Sequence, residues 1–161
     1  HLIYEDDLCI AILDVNGAML GHTFVIPKNH SPIMEQVPDQ ELSHLFTVAN
    51  KISSALFEKL RVIQGTNIYV SNGVPAGQRV AHFMIHVIPR MDKDGINLQW
   101  QPKQVPDEEM ATVELKLKEQ LKNTAVAKIT QNVQEEPARP SFDSDDEDDY
   151  FTRQMQRIPR G

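Results

Sequence analysis

The chain has 161 residues, and its single cysteine, Cys9, excludes an intramolecular disulfide bond. Hydrophobic residues make up 40% of the sequence, and no apolar run approaches the ~20 residues of a membrane span, so a globular cytoplasmic protein is expected. The formal net charge is −7, and residues 135–149, with eight acids and one base, carry all of it. The remainder is formally neutral, which gives no electrostatic reason to expect a nucleic acid partner.

Short apolar runs predict strands in the first part of the chain. Leu2–Tyr4 is a short candidate, and Leu8–Leu13 is a nearly continuous apolar run that is typical of a central strand. A loop is predicted from Asp14 to Gly21, because it contains the strong turn signal Asn16-Gly17. The next segment, His22–Ile26, is rich in β-forming residues and stops at a proline, so it is predicted to be a strand.

The middle of the chain predicts a long helix followed by two strands. Apolar residues recur every three or four positions across residues 39–60, and Asp39 is expected to cap the start of this helix. Strands are predicted over Asn67–Val70 and Val80–Ile88, with a loop containing two glycines between them. A second, shorter helix is predicted from about residue 107 to about residue 122, with the aspartate at its start as the cap.

Composition divides the chain into three predicted regions. Residues 1–100 form the main domain, residues 101–129 a C-terminal helix region, and residues 130–161 an acidic tail in which prolines and acids favour disorder. The tail ends in aromatic residues among arginines, so residues 135–161 are a candidate docking segment for a protein partner. Simple solvation by the acidic side chains is the alternative interpretation.

His82, Met84 and His86 are the candidate site residues on the last predicted strand. Because side chains alternate between the two faces of a strand, these three should line one face. The other face then carries apolar side chains that enter a core, namely Phe83, Ile85 and Val87. Two histidines that are hydrogen-bonded within a protein interior are the alternative interpretation of this pattern.

A loop with two glycines leads directly into this strand. Gly73 and Gly77 allow tight turns and a close approach of backbone N–H groups to a phosphate, while Gln78 and Arg79 add an amide donor and a cation. Imidazole can attack phosphorus or stabilise phosphoryl charge, whereas the thioether of Met84 has no proton to give. The pattern indicates a phosphate site with altered chemistry.

Two blocks of sequence resemble the histidine triad (HIT) family. They are His-Thr-Phe-Val-Ile-Pro-Lys at residues 22–28 and the segment Gly77–Arg90, in which Gly-Gln precedes the alternating histidine positions. The resemblance covers about residues 1–95 and implies an α+β fold with a five-stranded antiparallel sheet, one long helix and one shorter helix. It also implies a homodimer that binds a purine nucleotide or nucleoside phosphate. Dinucleoside polyphosphate hydrolases and nucleoside phosphoramidases are among the small bacterial and archaeal-type members that the chain resembles.

The resemblance implies a role for each matching residue. Asp14 would bind the ribose hydroxyls, Val15 would contact the base, and His22 would support the triad from behind. The phosphates and the leaving group would be contacted by Asn72, Gly77, Gln78, Arg79 and His86. Two alternatives remain open, since Asp14 could simply begin a turn and Arg79 could be a solvated surface charge.

Three departures from the family pattern affect the expected chemistry. Met84 falls on the position of the attacking histidine, between the positions of the first and third triad histidines, and Arg79 falls where Ser or Thr is common. Many small members bind structural zinc through a Cys-x-x-Cys pair and a histidine that corresponds to His30. With Cys9 alone, and that residue expected in the core, neither a metal nor a cofactor is predicted. His44, on the long helix, is expected to be exposed and uninvolved.

Three functional hypotheses follow. The first is a nucleotide-binding protein with weak or absent hydrolase activity. The second is an active hydrolase or transferase that acts at the α-phosphate, with His82 or His86 as general acid or base and water as the nucleophile. In the third, Met84 was introduced to trap a substrate complex, although alanine, asparagine or glycine would be the usual choice for that purpose.

Overall fold

Five antiparallel strands form one sheet in the computed structural model of the chain, which describes residues 1–122 and residue 124. The strands are β1 (Leu2–Glu5), β2 (Cys9–Leu13), β3 (Thr23–Pro27), β4 (Gly65–Tyr69) and β5 (Ile85–Arg90). Their order in the sheet is β1-β2-β3-β5-β4, so the last strand in sequence lies between the third and the fourth. The predicted five-stranded antiparallel sheet is therefore confirmed.

The strand with the candidate histidines begins later than predicted. Pairing in the sheet starts at Ile85 and not at Val80, because the Phe83 N–H donates to the carbonyl of Ser31, 2.6 Å away, outside the sheet. The predicted alternation of faces is confirmed, since Phe83, Ile85 and Val87 are buried while the residues between them are half-buried. Sequence alternation thus reports which face a residue occupies better than it reports where pairing begins.

The long helix α1 (Asp39–Lys59) covers one face of the sheet. The predicted cap was wrong: Pro38 is the N-cap, its carbonyl accepts a hydrogen bond from the Leu42 N–H at 2.8 Å, and Asp39 is the first helical residue. The Asp39 carboxylate still lies in the first turn, where it complements the helix dipole. The core between α1 and the sheet is apolar and contains Cys9, Ala11, Val25, Leu45, Val48, Ala49, Phe83, Ile85 and Val87.

A turn after β5 is held by Arg90. Its guanidinium donates to both carboxylate oxygens of Asp94, at 2.6 and 3.0 Å, and to the Ile96 carbonyl at 2.6 Å. The hydrogen bonds from Arg90 to the carboxylate hold the pKa of Asp94 well below its usual range. Arg90 therefore anchors the end of the strand.

The second helix, α2 (Asp107–Lys122), belongs to a separate compact unit that starts at Pro102. The shorter helix predicted from the sequence is confirmed, although its aspartate is the first helical residue and not the cap. The Met110 N–H donates to the Pro106 carbonyl at 3.1 Å, so the first helical hydrogen bond starts one residue earlier. Neither described helix is long and apolar enough to cross a membrane. The predicted acidic tail, residues 130–161, lies outside the described residues.

Candidate functional site

His86 lies on the face of the sheet opposite α1, at a position that the strand register fixes. Phe24 on β3 and Tyr69 on β4 are its direct cross-strand partners. The centroids of these two rings lie 4.9 and 4.8 Å from that of His86. The imidazole is therefore held on both sides by aromatic rings.

A hydrogen bond joins His86 to His22, which immediately precedes β3. His22 Nε2 lies 3.1 Å from His86 Nδ1, and the Ala18 N–H donates to His22 Nδ1 at 3.1 Å. Because His22 Nδ1 accepts a hydrogen bond there, the neutral ring is assigned its proton on Nε2, which donates a hydrogen bond to His86 Nδ1. This assignment leaves His86 with its own proton on Nε2, the nitrogen that is not used by His22.

Burial keeps both rings neutral at physiological pH. The pKa of His86 is lowered to about 4, first by burial and then by repulsion from His22 when that ring is protonated. Burial also lowers the pKa of His22, and the nearby Asp14 carboxylate opposes this effect. His86 therefore presents a neutral N–H group to the open face of the sheet, which suits hydrogen bonding to an anionic oxygen.

Asp14 lies directly after β2 and next to His22. Its Oδ2 atom is 3.5 Å from His22 Nδ1, and its Oδ1 atom accepts a hydrogen bond from the Asn16 N–H at 2.8 Å. Asp14 thus begins a turn, as one of the two sequence interpretations held, and it also belongs to the row Asp14–His22–His86. Val15, the candidate base contact, is exposed.

The loop before β5 is fastened by two amide side chains. Gln78 Oε1 accepts from the Gly73 N–H at 2.8 Å, and its Nε2 donates to the carbonyls of Pro32 and Val80. Asn72 Oδ1 accepts from the Met34 N–H at 3.0 Å, while its Nδ2 donates to the Glu35 carboxylate. Both amides hold the loop in shape through these bonds, and their contact with phosphate stays a prediction.

The two glycines of this loop have the backbone conformation that their prediction required. Gly73 and Gly77 both have φ of +91°, which side-chain-bearing residues rarely adopt. Arg79, which follows them, is exposed. The N–H groups of Gly73, Gly77 and Gln78 donate within the loop, so the loop presents a cation at its surface and its backbone contact with phosphate stays a prediction.

His82 is separated from the His22–His86 pair. Its Nε2 is 3.0 Å from the Pro27 carbonyl oxygen, and its ring packs edge-on against His30 with the centroids 5.1 Å apart. His82, Met84 and His86 are all half-buried, as their predicted place on one face requires, and a shared role for them stays a prediction. Met84 is half-buried between the buried Phe83 and Ile85.

Sequence reasoning missed two hydroxyl groups beside the site. The hydroxyls of Tyr69 and Ser71 are 2.9 Å apart, and the Tyr69 ring lies against His86. A Cβ atom on Gly77 would lie 3.7 Å from Ser71 Oγ, so this hydroxyl faces the glycine loop. Only the cross-strand register of Tyr69 with His86 could have indicated them, and a single sequence does not give that register.

Comparison with known proteins places this fold and site in a family. The model of the HIT domain matches residues 1–93. An uncharacterized HIT-like protein of Borreliella burgdorferi is 43% identical over 62% of this chain and 72% of its own length. The crystal structure of a HIT family protein from Bacillus anthracis is 32% identical, with a TM-score of 0.68 over 74% of this chain and 86% of that one.

Two relatives have names that state an activity. Adenylylsulfatase HINT3 of Arabidopsis thaliana is 39% identical over 57% of this chain and 46% of its own length. The asymmetrical bis(5'-nucleosyl)-tetraphosphatase of Schizosaccharomyces pombe is 33% identical over 58% of this chain and 51% of its own length. The chain spans about half the length of each of these two proteins. From the matched domain and the shared fold, we conclude that this chain belongs to the HIT domain family.

Proposed function

We propose that this protein binds a purine nucleotide on the open face of its sheet and has weak or absent nucleotide hydrolase activity. The observation that carries the proposal is the presence of Met84, and not histidine, two residues before the ordered His86. Relatives named for adenylyl sulfate and for dinucleoside tetraphosphate support a nucleotide as the ligand. A homodimer and a cytoplasmic location remain expectations from the family resemblance and the composition.

Binding and catalysis make different demands on these residues. A neutral imidazole N–H, backbone N–H groups and an exposed arginine can all bind phosphate oxygens without reacting. Covalent catalysis needs a nucleophile that forms an adduct with phosphorus, and in this family resemblance that role falls on the Met84 position. A thioether offers no such adduct, so the proposal keeps the binding and removes the covalent step.

The proposed contacts follow the row of residues described above. Asp14 would hold the ribose hydroxyls and Val15 the base, with His22 fixing the orientation of His86. The phosphate group would be bound by Asn72, Gly77, Gln78, Arg79 and His86. Ser71 and Tyr69 add hydroxyl donors at the same end of the site.

The alternative is a slow hydrolase or transferase that uses water directly. The neutral His86 favours it, because the Nε2 proton could be donated to a leaving group. Proton transfer alone contributes only ~10²–10⁴-fold to a rate, and an imidazole with a pKa of about 4 is a weak base at neutral pH. His82 could donate its Nε2 proton only if its contact with the Pro27 carbonyl were broken, whereas its Nδ1 could still act as a base.

Turnover of two substrates tests these functions. Diadenosine triphosphate and an adenosine phosphoramidate would be incubated with the unmodified protein, with Met84→His, and with Met84→Leu as the size-matched control. We expect Met84→His to be at least ~10²-fold faster than the other two, because only it regains a nucleophile. Measurable turnover by the unmodified protein and by Met84→Leu, at the rate of Met84→His, would establish the hydrolase alternative.

Nucleotide binding is measured separately from turnover, so that the proposed binding and the proposed loss of activity are each tested on their own. Titration calorimetry with adenosine monophosphate should give the same dissociation constant for the unmodified protein and Met84→Leu. Loss of affinity in Asp14→Asn would support the proposed ribose contact. No heat of binding with any adenine or guanine nucleotide would overturn the nucleotide-binding proposal itself.

A further inference from the structure

A second cluster of reactive side chains lies away from the His22–His86 pair, between the turn that joins β1 to β2 and the first half of α1. Asp6, Cys9 and His44 each direct one donor atom there, and these three atoms lie within 4.8 Å of one another. His44 was expected to be exposed and uninvolved, but its side chain is half-buried. Its Nε2 is 2.6 Å from Asp6 Oδ2. Sequence could not show this, because residue 44 reaches the cluster only through the packing of α1.

The orientation of the Asp6 carboxylate is fixed by its neighbours. Its Oδ1 atom accepts hydrogen bonds from the backbone N–H groups of Leu8 and Cys9, at 2.9 and 2.8 Å. The Tyr4 hydroxyl donates to Oδ2 at 2.6 Å. Oδ1 is thus hydrogen-bonded to the backbone of the turn, and Oδ2 is held towards His44. Outer hydrogen bonds of this kind orient the ligands of metal sites.

Glu41 provides a second, independent observation at the same place. It lies three residues before His44, on the same side of α1, and only 6% of it is exposed. Its Oε1 atom is buried without a hydrogen-bond partner among the described residues. Its other oxygen, Oε2, accepts a hydrogen bond from Asn29 Nδ2 at 3.4 Å, so Oε1 alone lacks a donor. A buried carboxylate oxygen without a donor is costly, and a cation would remove that cost.

We propose that Asp6, Cys9 and His44 bind a zinc-class divalent metal ion, with a water molecule as the fourth ligand and the Glu41 carboxylate as its hydrogen-bond acceptor. Imidazole, thiolate and carboxylate are the ligand types that zinc takes in tetrahedral sites, whereas magnesium and calcium do not select thiolate. Binding would release the thiol proton of Cys9, and His44 would move its proton from Nε2 to Nδ1. The Asp6 carboxylate and the Cys9 thiolate would then balance the charge of the ion.

The position of the cluster assigns this metal a structural role. Cys9 has no exposed surface, while the side chains of Asp6 and His44 are 24% and 34% exposed, so the ion would enter from their side. The ion would join the β1–β2 turn to α1. This position is distinct from the His30–His82 contact, whose two Nε2 atoms lie against the Ala81 and Pro27 carbonyls.

Cobalt(II) titration of the chelator-treated full chain tests the proposal. Cobalt(II) substitutes for zinc and reports a bound thiolate through a charge-transfer band in the near ultraviolet. We expect one ion per chain with this band and with the visible spectrum of a tetrahedral site. Cys9→Ser should abolish the charge-transfer band, and Glu41→Gln should weaken binding ~10–100-fold. His44→Gln, at a partly exposed position that should not disturb folding, should lose at least ~10-fold in affinity.

His30→Gln is the matched control, because it removes a histidine outside the cluster. It should leave both the band and the affinity unchanged, and circular dichroism should show every variant folded. The proposal is overturned if the unmodified chain binds no cobalt, if it binds cobalt without the thiolate band, or if His44→Gln binds as tightly as the unmodified chain.

Discussion

At His86, three neighbouring rings and one hydrogen bond determine what the side chain can do. His22 occupies Nδ1, and the aromatic partners on β3 and β4 restrict rotation of the ring. Only Nε2 remains available to a ligand. A ligand that needs a positively charged imidazole would therefore have to supply the proton itself.

The stability of the protein should depend on pH through His86. Its pKa is lowered to about 4 in the folded protein, so between that value and the ordinary value near 6.5 the unfolded chain binds more protons than the folded one. The contribution of neutral His86 to the free energy of unfolding should be complete above pH ~6.5 and should fall as the pH drops towards 4. Because His86 is partly exposed, we expect about 1 kcal/mol per pH unit, below the ~1.4 kcal/mol of a fully expressed shift.

Urea unfolding at pH 7, 6 and 5 measures this dependence. His86→Gln should flatten the profile, and the residual slope should come from His22, whose pKa is lowered in the same direction. His1→Gln, at an exposed histidine, should leave the slope unchanged. A profile that is equally steep in His86→Gln would mean that other groups carry the pH dependence.

The turn that places His22 is the clearest case of one element depending on two others. Gly21 has a φ of +93°, and a Cβ atom there would meet Leu56 of α1 and Pro89 of β5 at 3.2 Å. The turn therefore fits into a gap between the helix and the last strand. Its neighbour His22 reaches the sheet only because that gap is filled by backbone alone.

Substitution of two glycines separates conformational strain from packing. Gly95 also has a positive φ, of +77°, but a Cβ atom there would meet nothing within 4 Å. Gly95→Ala should cost about 1 kcal/mol of unfolding free energy from backbone strain. Gly21→Ala should cost a further ~1–3 kcal/mol, because Leu56 and Pro89 must move. Equal losses in the two variants, measured by urea unfolding, would show that the packing around Gly21 adjusts freely.

Sequence patterns predicted the elements well and their ends less well. Apolar residues repeat along the whole of α1, so the helix was predicted correctly even though its cap was not. The cap is Pro38, and not Asp39 as expected. The start of β5 depends on the long-range bond from Phe83 to Ser31, which no local pattern contains. For the same reason, the pairing of His22 with His86 could be expected only from the family resemblance, and the position of His44 not at all.

At the scale of the whole molecule, the net charge and the candidate site residues lie in different parts of the sequence. The acids of residues 135–149 account for the net charge of −7, while the remaining residues are formally neutral. The sheet, α1 and every candidate site residue lie within residues 1–101. None of the candidate site residues therefore belongs to the acidic segment.

Removal of residues 135–161 should leave the affinity for adenosine monophosphate unchanged within ~2-fold at physiological salt, because every proposed nucleotide contact lies within residues 1–101 and salt screens exposed charges. Calorimetry on the full chain and the shortened chain makes the comparison. A substantial loss of affinity would place the tail at the site and would favour a docking role for its aromatic and arginine residues.

The order of the strands also determines when the histidine pair can form. β1, β2 and β3 are neighbours both in sequence and in the sheet, so a growing or refolding chain can assemble them from local contacts. β4 pairs with β5 alone, and β5 must enter between β3 and β4, which lie far apart along the chain. Contact between His22 and His86, 64 residues apart, is therefore an event of the final assembly step. A nascent chain that ends before Ile85, the first residue of β5, would expose the edge of β3 and hold an unpaired β4, which are the conditions for aggregation.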